Sequence, residues 1–373
     1  MIRSVSSQSG SSRLGRNEMK VTTGYGETWL GNVKDQVQAA EAAGFDGIST
    51  GELKHNSILA LTLAAEHTES IELATSVTIA FPRSPMVMAQ SAWDLQEFSK
   101  GRINLGLGSQ VKGHNLRRFG GTWTPPAKRM ESYIGMMRAI WRSWQEGEKP
   151  QYATEDYNYT LMTPAFSPGP IDYPHPKISL ASVGPRMAEA AGYSADGLRP
   201  HGFMTEKYLR ETVLPAVAKG AKRAGRSVDD ISISVGGFNA FGETDTEVEQ
   251  SIEALRRPIS FYGSTRSYHG VFRAHGLESL GMQLHELSQK GQWDKMFDAV
   301  NFEVALEMAN ATTYDNLPQF AREHFEYADR ISFRMPSGRE RAGTYGGDAS
   351  KEAKAAVPTE ERLQWLIKEL HDV

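Results

Sequence analysis

Segments with strand patterns alternate with segments of helical periodicity along this chain, and this alternation limits the fold more than any other feature. Early in the chain, strand patterns occupy residues 19–25, 45–49, 71–79 and 102–107, and helical periodicity occupies residues 28–43, 57–67 and 85–98. Strands that are separated by helices pair in parallel, because each helix returns the chain to the same end of the sheet. The sequence therefore predicts a parallel sheet covered by helices.

The alternation continues to the C-terminus with interruptions. Further strands are predicted at 177–181, 196–198, 231–238 and 328–333, and further helices at 128–144, 185–193, 205–224, 245–255, 277–289, 293–310 and 360–371. Residues 151–176, with five prolines, and residues 257–275 are predicted to be irregular insertions, and residues 337–356 a surface loop. Eight strand–helix units in 373 residues predict an α/β fold, a (β/α)8 TIM barrel with insertions, whose functional residues follow the C-terminal ends of the strands.

Composition narrows the functional classes. A net charge of −4 and a pI near 6.2 argue against nucleic acid as a partner. The chain has no cysteine, which excludes thiolate metal sites and cysteine nucleophiles and agrees with a cytoplasmic location. Residues 1–18 are predicted to be a flexible extension before a single domain at residues 19–373. No apolar run is long enough to cross a bilayer, so the expected partner is a small-molecule substrate, with a homodimer left open.

A glycine-containing segment follows the fourth predicted strand. Residues 106–110 read GLGSQ, and glycines at such a place let backbone amides approach a ligand closely. The segment is not a dinucleotide-binding fingerprint, because Val111 stands where a third glycine would be needed. A cofactor contact and a tight turn at the barrel rim are both compatible with it.

The segment after the fifth predicted strand has a pattern that suits a phosphate. Residues 182–185 read SVGP and precede a predicted helix. Free N–H groups at a helix N-terminus attract anions, and Pro185 fits the first helical position. An ordinary strand-to-helix turn is the alternative interpretation.

Ionisable side chains are predicted at the same end of the barrel. Glu52, Lys54 and His55 follow the second strand, and His201 follows the sixth. Their position suits acid–base chemistry. For Glu52, Lys54 and His55, a solvated rim loop is the alternative interpretation, which the sequence alone favours. Candidate substrate contacts near the barrel mouth are Phe81, Arg83 and His114, and no set of residues has metal-ligand spacing.

Several motifs resemble one family. Residues 42–47 read AAGFDG and resemble the ELGFD segment of luciferase-like monooxygenases, residues 95–108 read LQEFSKGRINLGLG and resemble the LDxLSxGRxxLGxG signature, and residues 195–197 match the ADG motif. Residues 108–114, GSQVKGH, with RFG at 118–120, are similar to a mycobacterial-type subfamily that depends on coenzyme F420. The resemblance extends from about residue 19 to the C-terminus.

The resemblance implies a cofactor site at the barrel mouth. It implies a cis peptide bond between Ser76 and Val77 beneath the cofactor ring, cofactor contacts from Ser109 and Gln110, and a cofactor phosphate against Val183, Gly184 and Pro185. Two positions depart from the family pattern: Leu53 stands where many members have a catalytic histidine, and Val111 where many deazaflavin-dependent members have a glutamate. The family's catalytic histidine therefore cannot be transferred to this chain.

Three functions remain open on the sequence. The leading one is an oxidoreductase in which the deazaflavin coenzyme F420 transfers hydride to or from a small organic substrate, with His55, Glu52 and His201 as candidates for moving the proton. The second is an FMN-dependent monooxygenase that inserts oxygen from O2 into a small apolar substrate. The third is a barrel that binds a ligand without catalysis. Lys112, Arg117 and Arg118 form a basic cluster that could hold the acidic tail of the deazaflavin coenzyme.

Overall fold

The computed structural model describes residues 18–25, 29–335 and 354–373 of the chain. The extension predicted at residues 1–18 and the surface loop predicted at residues 337–356 lie almost entirely outside the described residues.

Eight parallel strands form a nearly closed barrel, which confirms the predicted fold. They are counted here from first to eighth in chain order: Lys20–Gly24, Gly47–Thr50, Glu72–Thr75, Ile103–Gly108, Lys177–Ser182, Gly197–Pro200, Ser232–Ile233 and Arg330–Phe333. Each strand pairs in parallel with the next up to the seventh, and the eighth pairs with the first. The seventh and eighth strands meet through a bridge between Ser234 and Arg330, where the Val235 N–H donates to the Arg330 carbonyl at 2.8 Å.

Helices cover the outside of the barrel. Their bounds are Val33–Ala42, Ser57–Glu66, Pro85–Phe98, Lys112–Arg117, Pro126–Glu146, Pro185–Ser194, Glu206–Tyr208 continuing through Leu209–Val213 to Leu214–Arg223, Asp245–Gly263, His269–Ala274, Glu278–Gln289, Trp293–Asp298, Phe302–Glu307, Leu317–His324 and Glu360–His371. Several begin at polar caps. The Asn56 side chain accepts from the Ile58 N–H at 2.9 Å, and the Ser84 hydroxyl accepts from the Val87 N–H at 3.2 Å, so both satisfy otherwise free helix N–H groups.

The two segments predicted to be irregular contain regular structure. Within residues 151–176, Tyr152–Ala153 pairs with Asn158–Tyr159 in an antiparallel hairpin, and the later part is attached to the helix Pro85–Phe98. There the Trp93 indole donates to the Gly169 carbonyl at 3.3 Å and the Gln96 amide donates to the Pro174 carbonyl at 2.7 Å. Within residues 257–275, the prediction of irregular structure was wrong, because the helix Asp245–Gly263 continues past Pro258 and His269–Ala274 forms a second helix.

The prediction was also wrong for the helix at 293–310 and for the end of the strand at 231–238. The first helical segment ends at Asp298, and Asn301 begins a new helix, because its side chain accepts from the Val304 N–H at 2.9 Å and caps it. The chain then enters a strand, Ala309–Thr313, which pairs in parallel with Phe238–Gly242 outside the barrel sheet. In the sequence, the helical periodicity of Phe302–Glu307 continues into Ala309–Thr313 without a visible boundary. The strand is recognised only from its pairing with Phe238–Gly242, which is distant in sequence.

An ion pair crosses the barrel interior near the N-terminal ends of the strands. The Arg330 guanidinium donates to both oxygens of Glu72, at 2.5 and 3.2 Å, and both side chains are largely buried. The Asn104 amide also donates to Glu72 at 3.1 Å, and the Ser179 hydroxyl donates to the Asn104 oxygen at 2.8 Å. Burial alone would raise the pKa of Glu72, but the charge and hydrogen bonds of Arg330 outweigh it and hold that pKa at about 2. The pair ties the third strand to the eighth.

Glu72→Gln should lower the free energy of unfolding by about 3 kcal/mol at pH 7, because it leaves the buried Arg330 charge unpaired. The wild-type contribution is present above about pH 4.5 and is lost as the pH falls towards 2, so the two proteins should converge in acid. Urea denaturation at several pH values measures this. In the matched control Glu69→Gln, the exposed pair with Lys100 should contribute less than about 1 kcal/mol. Equal losses in both variants would contradict the assignment.

Candidate functional site

The residues predicted to bind a cofactor lie at one end of the barrel. Leu107 of the fourth strand is in register with Leu180 of the fifth, and Ser182 of the fifth with Pro200 of the sixth. Because these strands are parallel, the segments that follow them emerge side by side. The structure therefore brings together the ends of the third, fourth, fifth and sixth strands, which carry most of the predicted site.

The predicted cis peptide bond between Ser76 and Val77 is present. The Ser76 N–H donates to the Thr50 carbonyl at 2.7 Å, which ties this segment to the second strand. Val77 lies directly over Gly108, since a Cβ built on Gly108 would be 2.6 Å from the Val77 Cγ2 atom. A side chain at position 108 would displace Val77, so the glycine permits the close contact between the third and fourth strand ends.

The turn after the fourth strand is held by its own polar groups. Gln110 has a positive φ of 56°, and its side-chain oxygen accepts from the Val111 N–H at 2.8 Å. The Ser109 carbonyl accepts from the Asn115 amide at 2.9 Å, and the Ser109 hydroxyl donates to the Gln110 carbonyl at 3.2 Å. The amide nitrogen of Gln110 has no acceptor among the described residues, and both Ser109 and Gln110 are partly exposed. This nitrogen is a donor that a bound ligand could use.

Gly184 begins the helix Pro185–Ser194 without a side-chain cap. A Cβ built on Gly184 would meet no atom within 4 Å, so open space adjoins the helix N-terminus. Its carbonyl accepts from the Met187 and Ala188 N–H groups, both at 3.1 Å, and from the Ser182 hydroxyl at 3.3 Å. Pro185 has no N–H group, so the Arg186 N–H is the first helical donor at this end, where the dipole is positive. This geometry fits a phosphate group.

Glu52 is engaged in an ion pair with Arg83. Its carboxylate accepts from the Arg83 guanidinium at 2.5 and 3.0 Å and from the Ile79 N–H at 2.7 Å, and the Glu52 and Arg83 side chains are only 12% and 20% exposed. Arg83 also donates to the Ile79 carbonyl at 2.9 Å. The geometry therefore ties the loop after the second strand to the segment after the third through three hydrogen bonds to the Glu52 carboxylate.

The other predicted acid–base and substrate residues are separate from this pair. His55 and His114 are exposed, as is Lys54. Phe81 is buried, and the Arg129 guanidinium lies 4.3 Å from the centre of its ring. Phe81 therefore packs beneath a cation and shows little of its ring to the barrel mouth.

His201 is partly buried and has a defined hydrogen-bond pattern. Its Nδ1 atom accepts from the Phe203 N–H at 3.0 Å, which places the ring proton on Nε2. The rings of Tyr262 and Tyr268 pack against it, with centroids 4.4 and 5.1 Å away. Burial lowers the pKa of His201 to about 4, so at neutral pH the ring is neutral and its Nε2–H is a hydrogen-bond donor.

Sequence reasoning missed three residues around this histidine. Tyr262 and Tyr268 come from the segment that was predicted to be irregular. Arg199 precedes His201 by two positions on the sixth strand, and since alternate strand residues share a face, this spacing was the signal that could have identified it. Its Nε atom is buried and has no hydrogen-bond partner among the described residues. Burial and the neighbouring Arg330 lower the pKa of Arg199 to about 10, so it stays charged at neutral pH.

Two classes of site are missing from the described part of the chain. Residues 18–25, 29–335 and 354–373 hold no group of three or more His, Asp or Glu side chains that could bind a metal ion. In the same ranges, none of the helices combines the length and the apolar character needed to cross a bilayer.

Comparison with known proteins gives consistent matches. A family profile described as "Luciferase-like monooxygenase" matches residues 12–313. An uncharacterized protein of Mycobacterium bovis is 39% identical over 303 residues, 81% of this chain and 89% of that protein. The phthiodiolone/phenolphthiodiolone dimycocerosates ketoreductase of Mycobacterium kansasii is 30% identical over 224 residues, 59% of each chain. The coenzyme F420 dependent tetrahydromethanopterin reductase from Methanopyrus kandleri superposes with a TM-score of 0.69 at 20% identity, covering 94% of this chain and 98% of that one, and so has the same fold.

His201→Gln should reduce the fall in the free energy of unfolding that the wild-type protein shows as the pH decreases into mild acid. The unfolded histidine takes up a proton near pH 6.5 and the folded one near pH 4, so wild-type stability falls by about 2–3 kcal/mol between these values. Thermal denaturation between pH 4 and 7 measures the slope. His55→Gln is the control, because that side chain is exposed and its replacement should leave the slope unchanged. If the stability of His201→Gln changes with pH as steeply as that of wild type, His201 is not held neutral in the folded protein.

Proposed function

The chain belongs to the luciferase-like monooxygenase family, and on that basis we propose that it is an oxidoreductase that uses the deazaflavin coenzyme F420. The coenzyme, when bound, supplies the hydride that is transferred to or from a small organic substrate. The protein holds the coenzyme at the barrel mouth and positions the substrate against it.

The open helix N-terminus at Gly184 is the observation that carries this proposal. It offers a positively polarised end and unobstructed space for a phosphate, beside the Ser76–Val77 segment and the Ser109–Gln110 turn. Both FMN and the deazaflavin coenzyme carry a phosphate, so this feature supports the whole cofactor class. The coenzyme F420 on which the reductase from Methanopyrus kandleri depends supports the deazaflavin within that class.

The substrate class proposed is a carbonyl compound or the corresponding alcohol. His201 supports it, because a neutral imidazole with its proton on Nε2 can donate a hydrogen bond to a carbonyl oxygen without being titrated at neutral pH. The rings of Tyr262 and Tyr268 pack against the imidazole and reduce its contact with water, which strengthens such a hydrogen bond. The ketoreductase activity named for the relative from Mycobacterium kansasii agrees with this class. His55 and Glu52 remain proposed as alternative routes for the proton.

The second candidate is an FMN-dependent monooxygenase, which the description of the matched family favours. In that case the barrel mouth would hold FMN, and the substrate would be a small apolar compound oxidised with O2. A barrel that binds a ligand without catalysis is the outcome if neither cofactor binds.

Gly184→Val should weaken binding of the cofactor while the protein stays folded. The backbone of Gly184 is extended, at φ −90° and ψ 158°, a conformation that valine adopts readily, and the new side chain would enter the space proposed for the phosphate. We expect a loss of at least about tenfold in affinity, measured by quenching of tryptophan fluorescence. Gly184→Ala, with a single methyl group, should lose less. Unchanged affinity in a folded Gly184→Val protein would place the phosphate elsewhere.

Replacing Arg117 and Arg118 by alanine should selectively weaken the deazaflavin, whose acidic tail FMN lacks. Both side chains are exposed, so the loss should shrink at high salt. The single variants distinguish the two residues: Arg118 already donates to the Leu53 carbonyl at 2.7 Å, and Arg117 should therefore account for most of the salt dependence. Titrations with both cofactors at low and high salt test this, with Arg322→Ala on the outer helix as control. Tighter FMN binding at both salt concentrations, with equal effects of the double variant on both cofactors, would favour the monooxygenase.

A further inference from the structure

Arg199 is a partly buried cation for which the described part of the chain provides no anion. Its side chain makes no hydrogen bond or salt bridge to the residues that the structure describes, and its Nε atom is shielded from solvent. A buried charge is normally paired, because an unpaired one costs several kcal/mol in lost hydration. The arrangement therefore lacks a negative partner.

The nearby carboxylate is already used. Glu72 accepts two hydrogen bonds from Arg330 and one from Asn104, so its charge is balanced by Arg330. Arg199 is close enough to both to be repelled by Arg330 and attracted by Glu72. Glu72 is the one acidic group that acts on Arg199 among the described residues, and Arg330 already holds it, so Arg199 is left without a carboxylate partner.

That charge lies below the residues proposed to hold the cofactor. A Cβ built on Gly106 would be 3.1 Å from the Arg199 Nε atom and 1.8 Å from the Thr75 carbonyl oxygen. Thr75 immediately precedes the Ser76–Val77 peptide, and Gly106 precedes the Ser109–Gln110 turn. Arg199 therefore reaches the ends of the third and fourth strands from the sixth, in the middle of the barrel.

We propose that Arg199 is the counter-charge for an ionised cofactor ring bound in the barrel mouth. The inference rests on the proposed function and adds a reason for the choice of cofactor. The oxidised ring of the deazaflavin coenzyme carries a phenolic hydroxyl conjugated with ring carbonyls, and its loss of a proton gives an anion delocalised over the ring. The oxidised ring of FMN has no such hydroxyl and is neutral. An unpaired arginine beneath the ring favours the ionised deazaflavin over oxidised FMN.

The test compares wild type with Arg199→Met, Arg199→Lys and the control Arg322→Met, whose arginine lies on the exposed surface of an outer helix. Dissociation constants for the oxidised deazaflavin coenzyme and for oxidised FMN are measured at pH 8 by tryptophan quenching. The absorbance spectrum of the bound deazaflavin is then followed from pH 4 to 9, because it reports the ionisation of the ring directly.

Arg199→Met should weaken the deazaflavin about 10- to 100-fold, the range for loss of a charged hydrogen-bond partner, and leave FMN within about twofold. The bound ring should also ionise at a higher pH than in wild type. A 10- to 100-fold loss of affinity for the ionised ring corresponds to a shift of about one to two pH units. Arg199→Lys should retain most of the preference, and Arg322→Met should match wild type. Without cofactor, Arg199→Met should melt at or above the wild-type temperature, because it removes an unpaired charge.

Three results would overturn the inference, and they are distinguishable. Equal losses for both cofactors, or a large fall in melting temperature of the cofactor-free Arg199→Met protein, would make Arg199 a structural residue. If Arg199→Met binds the deazaflavin and its absorbance changes with pH as in wild type, Arg199 does not interact with the ionised ring. Wild-type protein that binds FMN but no deazaflavin, or neither, would overturn the proposed function together with this inference.

Discussion

The pair between Arg330 and Glu72 is the interaction on which the barrel interior depends. Arg330 closes the barrel through its backbone, whose carbonyl accepts from Val235, and crosses it through its side chain to Glu72. The same pair sets the charge balance of the interior, because it consumes the carboxylate that could otherwise neutralise Arg199. Arg330 and Glu72 therefore both close the barrel and determine the charge balance beneath its mouth.

The site above this layer combines features that suit different parts of one ligand. The helix N-terminus at Gly184 suits a phosphate, the unpaired Arg199 suits an anionic ring, and the neutral His201 suits a carbonyl oxygen of a substrate. The Glu52–Arg83 pair is satisfied internally and positions two neighbouring loops. On this account, the ligand brings the negative charge, and the protein supplies a positive charge and hydrogen-bond donors that do not titrate at neutral pH.

The fold could be predicted from the sequence because its strands and helices alternate with clear periods, and the end of the barrel that carries the site follows from that topology. The cis Ser76–Val77 bond could be predicted only from the resemblance to a family, whereas the residues at 182–185 by themselves predict a helix N-terminus that suits an anion. The strand Ala309–Thr313 was missed because its partner, Phe238–Gly242, is distant in sequence. The spacing of Arg199 from His201 could indicate that both face the same side of the sheet, but it could not show that Arg199 is unpaired or that Glu52 is paired. Pairing depends on which distant segments the fold brings next to a charged side chain, and the sequence pattern does not specify them.

A crystal structure of the wild-type protein with the oxidised deazaflavin coenzyme tests the central claim most directly. The account predicts phosphate oxygens within about 3 Å of the N–H groups at the start of the helix Pro185–Ser194, the ring against Ser76 and Val77, and a ring oxygen or nitrogen within hydrogen-bond reach of the Arg199 guanidinium. A coenzyme bound with its phosphate away from Gly184, or with its ring out of reach of Arg199, would contradict the account.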